Sequence, residues 1–381
     1  MIKRSLRLPA KYSVFLFGPR QVGKTHLIRQ TTSPDLYIDL LLHENFLRYG
    51  QTPEILRKEV AAIGTKQPLV VIDEIQRCPE LLNTVHSLME SDQAPRFILT
   101  GSSARKLKRK GANLLAGRAI TMRLHPFTHE ELGQSFSLED SLRFGDLPKI
   151  SLEKNPQDKA RLLRSYVETY LKEEIQQEAI TRHVLAFAHF LDLAAFENGH
   201  VIHFSNLSRE VGVDAKTIRS YFQILEDTLV GFLLQPYVKS IRSKLVKHPK
   251  FYFFDRGVVS ALQKTLFQGL VAGSPPYGDA FEHWVLLETR RILDYREREY
   301  GCAFFRTADG AEVDLILSSG EEVWAVEIKA GSQPRPSELA GLRSFRKDHK
   351  VDRSLCVCQT PRRYAEEGIQ FLPWREFMQS L

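Results

Sequence analysis

Residues 18–25 read Gly18-Pro19-Arg20-Gln21-Val22-Gly23-Lys24-Thr25, which meets the signature G-x-x-x-x-G-K-[ST] at every fixed position. The chemistry of such a loop is the cradling of a polyphosphate. Gly18 and Gly23 permit a backbone course that a side chain would block, and the N–H groups of the loop, with Pro19, Arg20, Gln21 and Val22 between the glycines, turn toward one spot. Lys24 then reaches the β- and γ-phosphates, and the Thr25 hydroxyl holds Mg²⁺. Downstream, the apolar run Leu69-Val70-Val71-Ile72 ends in Asp73-Glu74. Asp73 there holds the metal through water, while Glu74 orients and deprotonates the attacking water. The pair points to hydrolysis rather than binding alone. A third apolar stretch ends in Thr100-Gly101-Ser102-Ser103, where a hydroxyl of Thr100 or Ser102 would sense the γ-phosphate or hold the lytic water. Helix capping by Ser102 or Ser103 is the alternative use. Arg118, in Leu115-Ala116-Gly117-Arg118, is a candidate arginine finger, because a planar guanidinium matches charge developing on transferred phosphoryl oxygens.

A second constellation lies toward the C-terminus. Phe281-Glu282-His283-Trp284 opens an amphipathic helix, Asp314 stands near the start of the strand 312–317, and Glu327 and Lys329 lie two apart in the strand 324–329, so both point to one face. Converging carboxylates repel unless a cation joins them. Glu282, Asp314 and Glu327 therefore predict a Mg²⁺ site with Asp314 and Glu327 as ligands, and Lys329 would stabilise developing charge or lower the pKa of a water. An acid on a helix, an acid on a strand and then Glu-x-Lys on the next strand resembles the restriction-endonuclease-like core, the PD-(D/E)xK pattern. Gly310-Ala311-Glu312-Val313-Asp314 departs from it by lacking the Pro-Asp pair. The resemblance implies metal-dependent DNA cleavage, or a nucleic-acid clamp that keeps the fold.

The elements that must position the first site are legible around it. Val14–Phe17 is a buried strand that feeds the loop into a helix over 24–30, so that the positive helix end and the loop amides face one point. Leu69–Ile72 has the composition of a strand buried on both faces of a parallel sheet, Arg96–Thr100 is a third strand, and 119–124 closes the sheet. The set GPRQVGKT, VVIDEIQ, LTGSS and LAGR, in that order, resembles the bacterial and archaeal AAA-type ATPases that carry a C-terminal domain of unknown function. The resemblance implies an α/β, AAA/RecA-like P-loop core with an extra strand between the two nucleotide motifs, for which 36–40 is the candidate. It also implies ATP and Mg²⁺ as cofactors, Lys24, Thr25, Asp73 and Glu74 in the roles above, Thr100 or Ser102 as sensor, and Arg118 as finger. A finger acting in trans implies a homo-oligomer.

Four domains are expected: the ATPase core over 1–125, a helical segment over 126–200, a winged-helix module over 201–260 and the nuclease-like α/β domain over 261–381. Leu162, Leu163, Tyr166, Val167, Tyr170, Leu171 and Ile175 form a helical stripe suited to packing. In the third segment Ser205 is placed to cap a short helix, Gly212 to turn, and Asp214 to cap a second helix, a helix-turn-helix layout whose wing would come from 232–236 and 251–254. Lys216, Thr217, Arg219 and Ser220 would enter a DNA groove if the module reads DNA; a packing role is the alternative.

The chain has 381 residues, 43% hydrophobic and 26% charged, an ordinary globular composition. No apolar run approaches about 18 residues, which predicts no membrane span, and the N-terminus has no continuous signal-peptide core, so a cytoplasmic protein is expected. Its four cysteines make no disulfide framework. The net charge of +7 favours an anionic partner, DNA (duplex or branched) first. The charge clusters in Arg105-Lys106-Leu107-Lys108-Arg109-Lys110 and at Lys239, Arg242, Lys244, Lys247 and Lys250. The combined reading is an ATP-dependent DNA-acting protein; a regulatory NTPase switch with a protein partner and a protein-remodelling ATPase are the rivals.

Overall fold

A computed structural model describes residues 2–103, 117–174, 184–238 and 248–381. The first basic cluster and Lys239, Arg242, Lys244 and Lys247 of the second lie outside the described residues. The chain divides into two compact units, Met1–Phe127 with Ile224–Val230, and Thr128–Gln223 with Gly231–Leu381. No helix among the described residues is long and apolar enough to cross a membrane.

The first unit is built on five parallel strands, β1 (Ser13–Phe17), β2 (Leu36–Asp39), β3 (Leu69–Asp73), β4 (Arg96–Gly101) and β5 (Ala119–Arg123), in the order β2-β3-β4-β1-β5. Every residue of β1 is buried, as its unbroken apolar run requires of a strand covered on both faces. Helices pack over the sheet, and Phe15, Ile38, Leu56, Val70, Leu81 and Leu99 share one core. Burying each such side chain contributes about 1.5–3 kcal/mol. Because all five strands run the same way, their carboxyl ends share one edge, where ligands of open α/β sheets bind. The extra strand is not the one expected. Leu36–Asp39 does form a strand, but it flanks β3 on the outside, and it is β4 that separates β1 from β3.

The second unit contains an eight-stranded sheet of β6 (Gly231–Pro236), β7 (Lys250–Phe253), β8 (Gly301–Arg306), β9 (Glu312–Ser319), β10 (Glu322–Ile328), β11 (Arg353–Cys358), β12 (Tyr364–Glu366) and β13 (Ile369–Pro373), in the order β12-β13-β11-β10-β9-β8-β6-β7. Strands β8, β9 and β10 form an antiparallel meander; the chain then crosses through the helix Ala340–Asp348 and returns as β11, parallel to β10. With the helix Pro275–Tyr295 ahead of β8, the order is α-β-β-β-α-β. Strand β10 alternates between two cores: Trp324, Val326 and Ile328 join one, Val323 and Ala325 the other, as the two-residue period dictates.

Two expectations about the middle of the chain are corrected here. The presumed wing strands do pair antiparallel, but Gln235 and Pro236 of β6 also pair with Ala303 and Phe304 of β8. They extend the C-terminal sheet instead of standing as a separate wing, so no boundary near 260 divides the strands. Ser205 is not a cap: the helix Phe204–Val211 begins one residue earlier, after His203, because Phe204 is drawn into the core. Gly212 does adopt the left-handed turn, and Asp214 does cap the next helix, accepting from the Thr217 N–H at 2.6 Å.

Candidate functional site

The phosphate loop leaves the carboxyl end of β1 and opens into the helix Lys24–Thr31. Its glycines are there for distinct reasons. A Cβ on Gly18 would lie 2.4 Å from the Leu124 carbonyl oxygen, so any side chain there forces the loop off the sheet. Gly23 has φ 95°, left-handed backbone that glycine adopts without strain. Gln21 is also left-handed, at φ 65°, and Val22 is buried beneath the turn. Arg4 ties the loop down from outside, donating to the Val22 carbonyl at 3.1 Å and the His125 carbonyl at 2.5 Å while lying over the Phe127 ring.

Lys24 is buried, and its ammonium donates to the carbonyls of Gly18 (2.8 Å) and Pro19 (3.1 Å), with Glu74 Oε1 at 3.8 Å. Burial lowers its pKa, opposed by Glu74 and Asp73; Arg20 adds to the lowering. The Thr25 hydroxyl donates to Asp73 Oδ2 at 2.6 Å. The Tyr37 hydroxyl reaches the same oxygen at 2.7 Å, and Thr100 donates to Asp73 Oδ1. Three hydroxyls therefore converge on one buried carboxylate and hold it at the mouth of the loop. Thr25 and Asp73 offer hard oxygens side by side, the donor type that Mg²⁺ takes, so these residues fit that ion.

Glu74 follows at φ 61°, an uncommon backbone state for a residue with a Cβ, and it is buried. Its N–H donates to Thr100 Oγ1 at 2.9 Å. Its carboxylate accepts from Gln76 and, at 3.1 Å, from Ser102, while Gln76 also donates to Ser102 at 3.0 Å. Thr100 and Ser102 thus connect the end of β4 to Asp73 and Glu74. Gln76, Tyr37 and Arg4 carry no role in the sequence reading. Gln76 sits inside VVIDEIQ and was open to notice, whereas Tyr37 and Arg4 reach the site only through sheet order and chain return.

Arg118 is not brought to this site. It precedes β5, whose first residue Ala119 pairs with Ser13 at the start of β1, whereas the loop follows Phe17, paired with Arg123. Four strand steps of about 3.3 Å separate the two edges. Arg118 instead pairs with the exposed Glu90 at 2.5 Å.

In the second unit, the predicted acids and lysine do lie together. Pairing of Val326 with Leu315, continued by one step, sets Glu327 across from Asp314. Lys329 donates to Glu327 Oε1 at 2.6 Å and lies 3.6 Å from Asp314 Oδ2, which also accepts the Ile328 N–H at 2.7 Å. Glu282, on the helix Pro275–Tyr295, accepts from Tyr252 at 2.8 Å and lies 3.4 Å from Lys250. Burial and then Glu282 raise the Asp314 pKa; burial and then Asp314 raise that of Glu327, whose Oε2 has no hydrogen-bond partner. Burial works against the Lys329 charge, but Asp314 and Glu327 outweigh it and raise its pKa. Asp314 and Glu327, the expected metal ligands, thus lie side by side with Lys329 against both. Among the described residues no three His, Cys, Asp or Glu side chains are grouped to hold a metal, and the Lys329 ammonium stands between the two acids.

Comparison with known proteins agrees with a P-loop fold for the first unit. Residues 10–133 match an AAA domain, residues 135–268 a domain of unknown function (DUF8612) and residues 277–377 another domain of unknown function (DUF4143). An uncharacterized protein of Mycobacterium tuberculosis is 28% identical over 324 residues, covering 84% of this chain and 71% of that protein. One of Methanocaldococcus jannaschii is 23% identical over 382 residues, covering 91% and 81%. Among solved structures, a Walker-type ATPase of Pyrococcus abyssi aligns with TM-score 0.46 and 15% identity over 66% of this chain and 91% of that one. The chain thus carries an AAA-type P-loop domain in residues 10–133, followed toward its C-terminus by a DUF4143 domain.

Proposed function

We propose that the first unit hydrolyses ATP and that this turnover serves the action of the second unit on DNA. The hydrogen bond between Thr25 and Asp73 carries the hydrolysis reading, because it unites two motifs far apart in sequence at the mouth of the loop. Thr25 and Asp73 would hold Mg²⁺, which when bound neutralises phosphate oxygens as charge moves to the leaving group. Lys24, resting on the loop's own carbonyls, is available to the phosphates. Glu74 accepts the proton of the attacking water, and Gln76 and Ser102 fix its carboxylate for that task. Separate measurements of nucleotide binding and turnover test this. Glu74→Gln is expected to keep binding and to lower turnover by on the order of 10²- to 10⁴-fold, whereas Lys24→Ala loses binding or its coupling to hydrolysis. Unchanged turnover in Glu74→Gln, with binding intact, rules out Glu74 as the base.

For the second unit, the α-β-β-β-α-β order and the gathering of Glu282, Asp314, Glu327 and Lys329 support a nuclease-like core acting on DNA. The net charge of +7 and the exposed Lys216, Arg219 and Ser220 on one helix support an anionic partner. One observation favours a second reading, a clamp that binds without cutting: Lys329 bridges Asp314 and Glu327, setting a positive charge against both acids without a divalent ion. Nicking assays with Mg²⁺ or Mn²⁺ separate the two. Cleavage that Asp314→Ala and Lys329→Ala abolish, with ATP hydrolysis intact, establishes a nuclease. Binding without nicking in any divalent ion establishes the clamp, and Lys329→Ala should then weaken DNA binding and flatten its salt dependence.

A further inference from the structure

A cavity of about 400 Å³ in the second unit takes no part in either reading above. Arg256 lies in its wall, only 7% exposed, and its Nε has no hydrogen-bond partner. The two acids nearest in effect, Asp255 and Asp279, do not pair with it. Asp255 is taken up by the N–H groups of Gly257, Val258 and Asp146. Asp279 is exposed and forms no ion pair with Arg256 among the described residues. Burial lowers the Arg256 pKa to about 10, partly offset by Asp279 and Asp255. An unpaired buried guanidinium is costly to fold, and it faces a space large enough for a small molecule.

The rest of the wall narrows the ligand. Phe196, 60% exposed, and Val271, 70% exposed, stand on the same cavity, one offering an aromatic face for stacking. A fork of N–H donors beside a free aromatic face suits a phosphate joined to a flat ring. We propose that the cavity binds a phosphate monoester of nucleotide size, with Arg256 on the phosphate and Phe196 against the base. The source is either a free mononucleotide or the 5′-phosphorylated end of a DNA strand. Asn198, His200 and Asp279 also line a smaller adjoining cavity, about 140 Å³, that reaches Glu282 and Glu312, so the bound phosphate would lie near the acid and lysine cluster.

The test is calorimetric titration of the full chain carrying Lys24→Ala, which silences the phosphate loop. The probes are AMP, adenosine, and a short single-stranded oligonucleotide with or without its 5′-phosphate. One phosphate-bearing probe should bind at one site per chain, and its phosphate-free counterpart about tenfold or more weakly. Saturation by AMP identifies a free nucleotide as the source; binding of the phosphorylated strand alone identifies a strand end. Arg256→Gln should remove the preference for phosphate, and Arg256→Lys should retain part of it. Val271→Trp fills the mouth from an exposed position and should block binding even where a change at the buried arginine disturbs folding. Absence of binding by every probe overturns the proposal, as does equal binding to Arg256→Gln and Val271→Trp. In the chain with Lys24 intact, Arg256→Gln should hydrolyse ATP at the unmutated rate, so failure here is distinguishable from failure of the ATPase reading.

Discussion

Asp73 and Glu74 are adjacent in sequence yet are held for different work. Asp73 is fixed by hydroxyls from three elements, while Glu74, turned by its left-handed backbone, is fixed by Gln76 and Ser102. This division is why replacing one should impair turnover with binding kept. In the second unit, His283 makes a different demand on charge. Its Nε2 donates to the Phe253 carbonyl at 2.8 Å and its Nδ1 accepts from Asn198 at 3.2 Å, a pair of partners that fits the neutral ring alone. Burial, then Arg256, depress its pKa to about 3. The unfolded chain binds this proton near pH 6.5 and the folded chain does not, so stability present above pH 6.5 is lost as pH falls toward 3. His283→Gln keeps a donor for Phe253 and cannot titrate. Denaturant unfolding at pH 7 and pH 5 should differ by about 2 kcal/mol less in this variant than in the unmutated protein. An identical difference in the two proteins contradicts the assignment.

At the scale of elements, the parallel sheet explains both what the sequence disclosed and what it hid. The loop, the β3 acids and the β4 hydroxyls were legible because each follows an apolar strand, and parallel strands end on one edge. Arg118 stands away from its own chain's loop for the same reason, since a residue that begins a parallel strand belongs to the opposite edge, and a finger there would act in trans. With Arg118 paired to Glu90, Arg118→Ala is expected to leave turnover unchanged in dilute protein. Turnover that rises with concentration in the unmutated chain but not in the variant would restore its role as a finger in trans; mixing Arg118→Ala with Lys24→Ala would then recover activity. The order of β2 and β4 was illegible because sequence order does not set sheet order. The merged wing has a similar cause: β6 and β7 read as the two strands of a wing, and only long-range pairing with β8 assigns them to the larger sheet.

At the scale of the whole molecule, one chain joins a P-loop unit to a second unit bearing a buried acid and lysine cluster and a separate basic cavity. The cluster was legible as residues, since Asp314, Glu327 and Lys329 keep strand spacing, but the state of its charges was not. That Lys329 stands between the acids depends on side-chain placement within hydrogen-bond reach. The measurement that bears most directly on the central claim is the rate of Mg²⁺-dependent ATP turnover with and without duplex or branched DNA at low salt. Coupling of the two units through ATP turnover should give several-fold stimulation by DNA, weakened by added salt and absent in Lys24→Ala. Turnover that is indifferent to every DNA at low salt would contradict it.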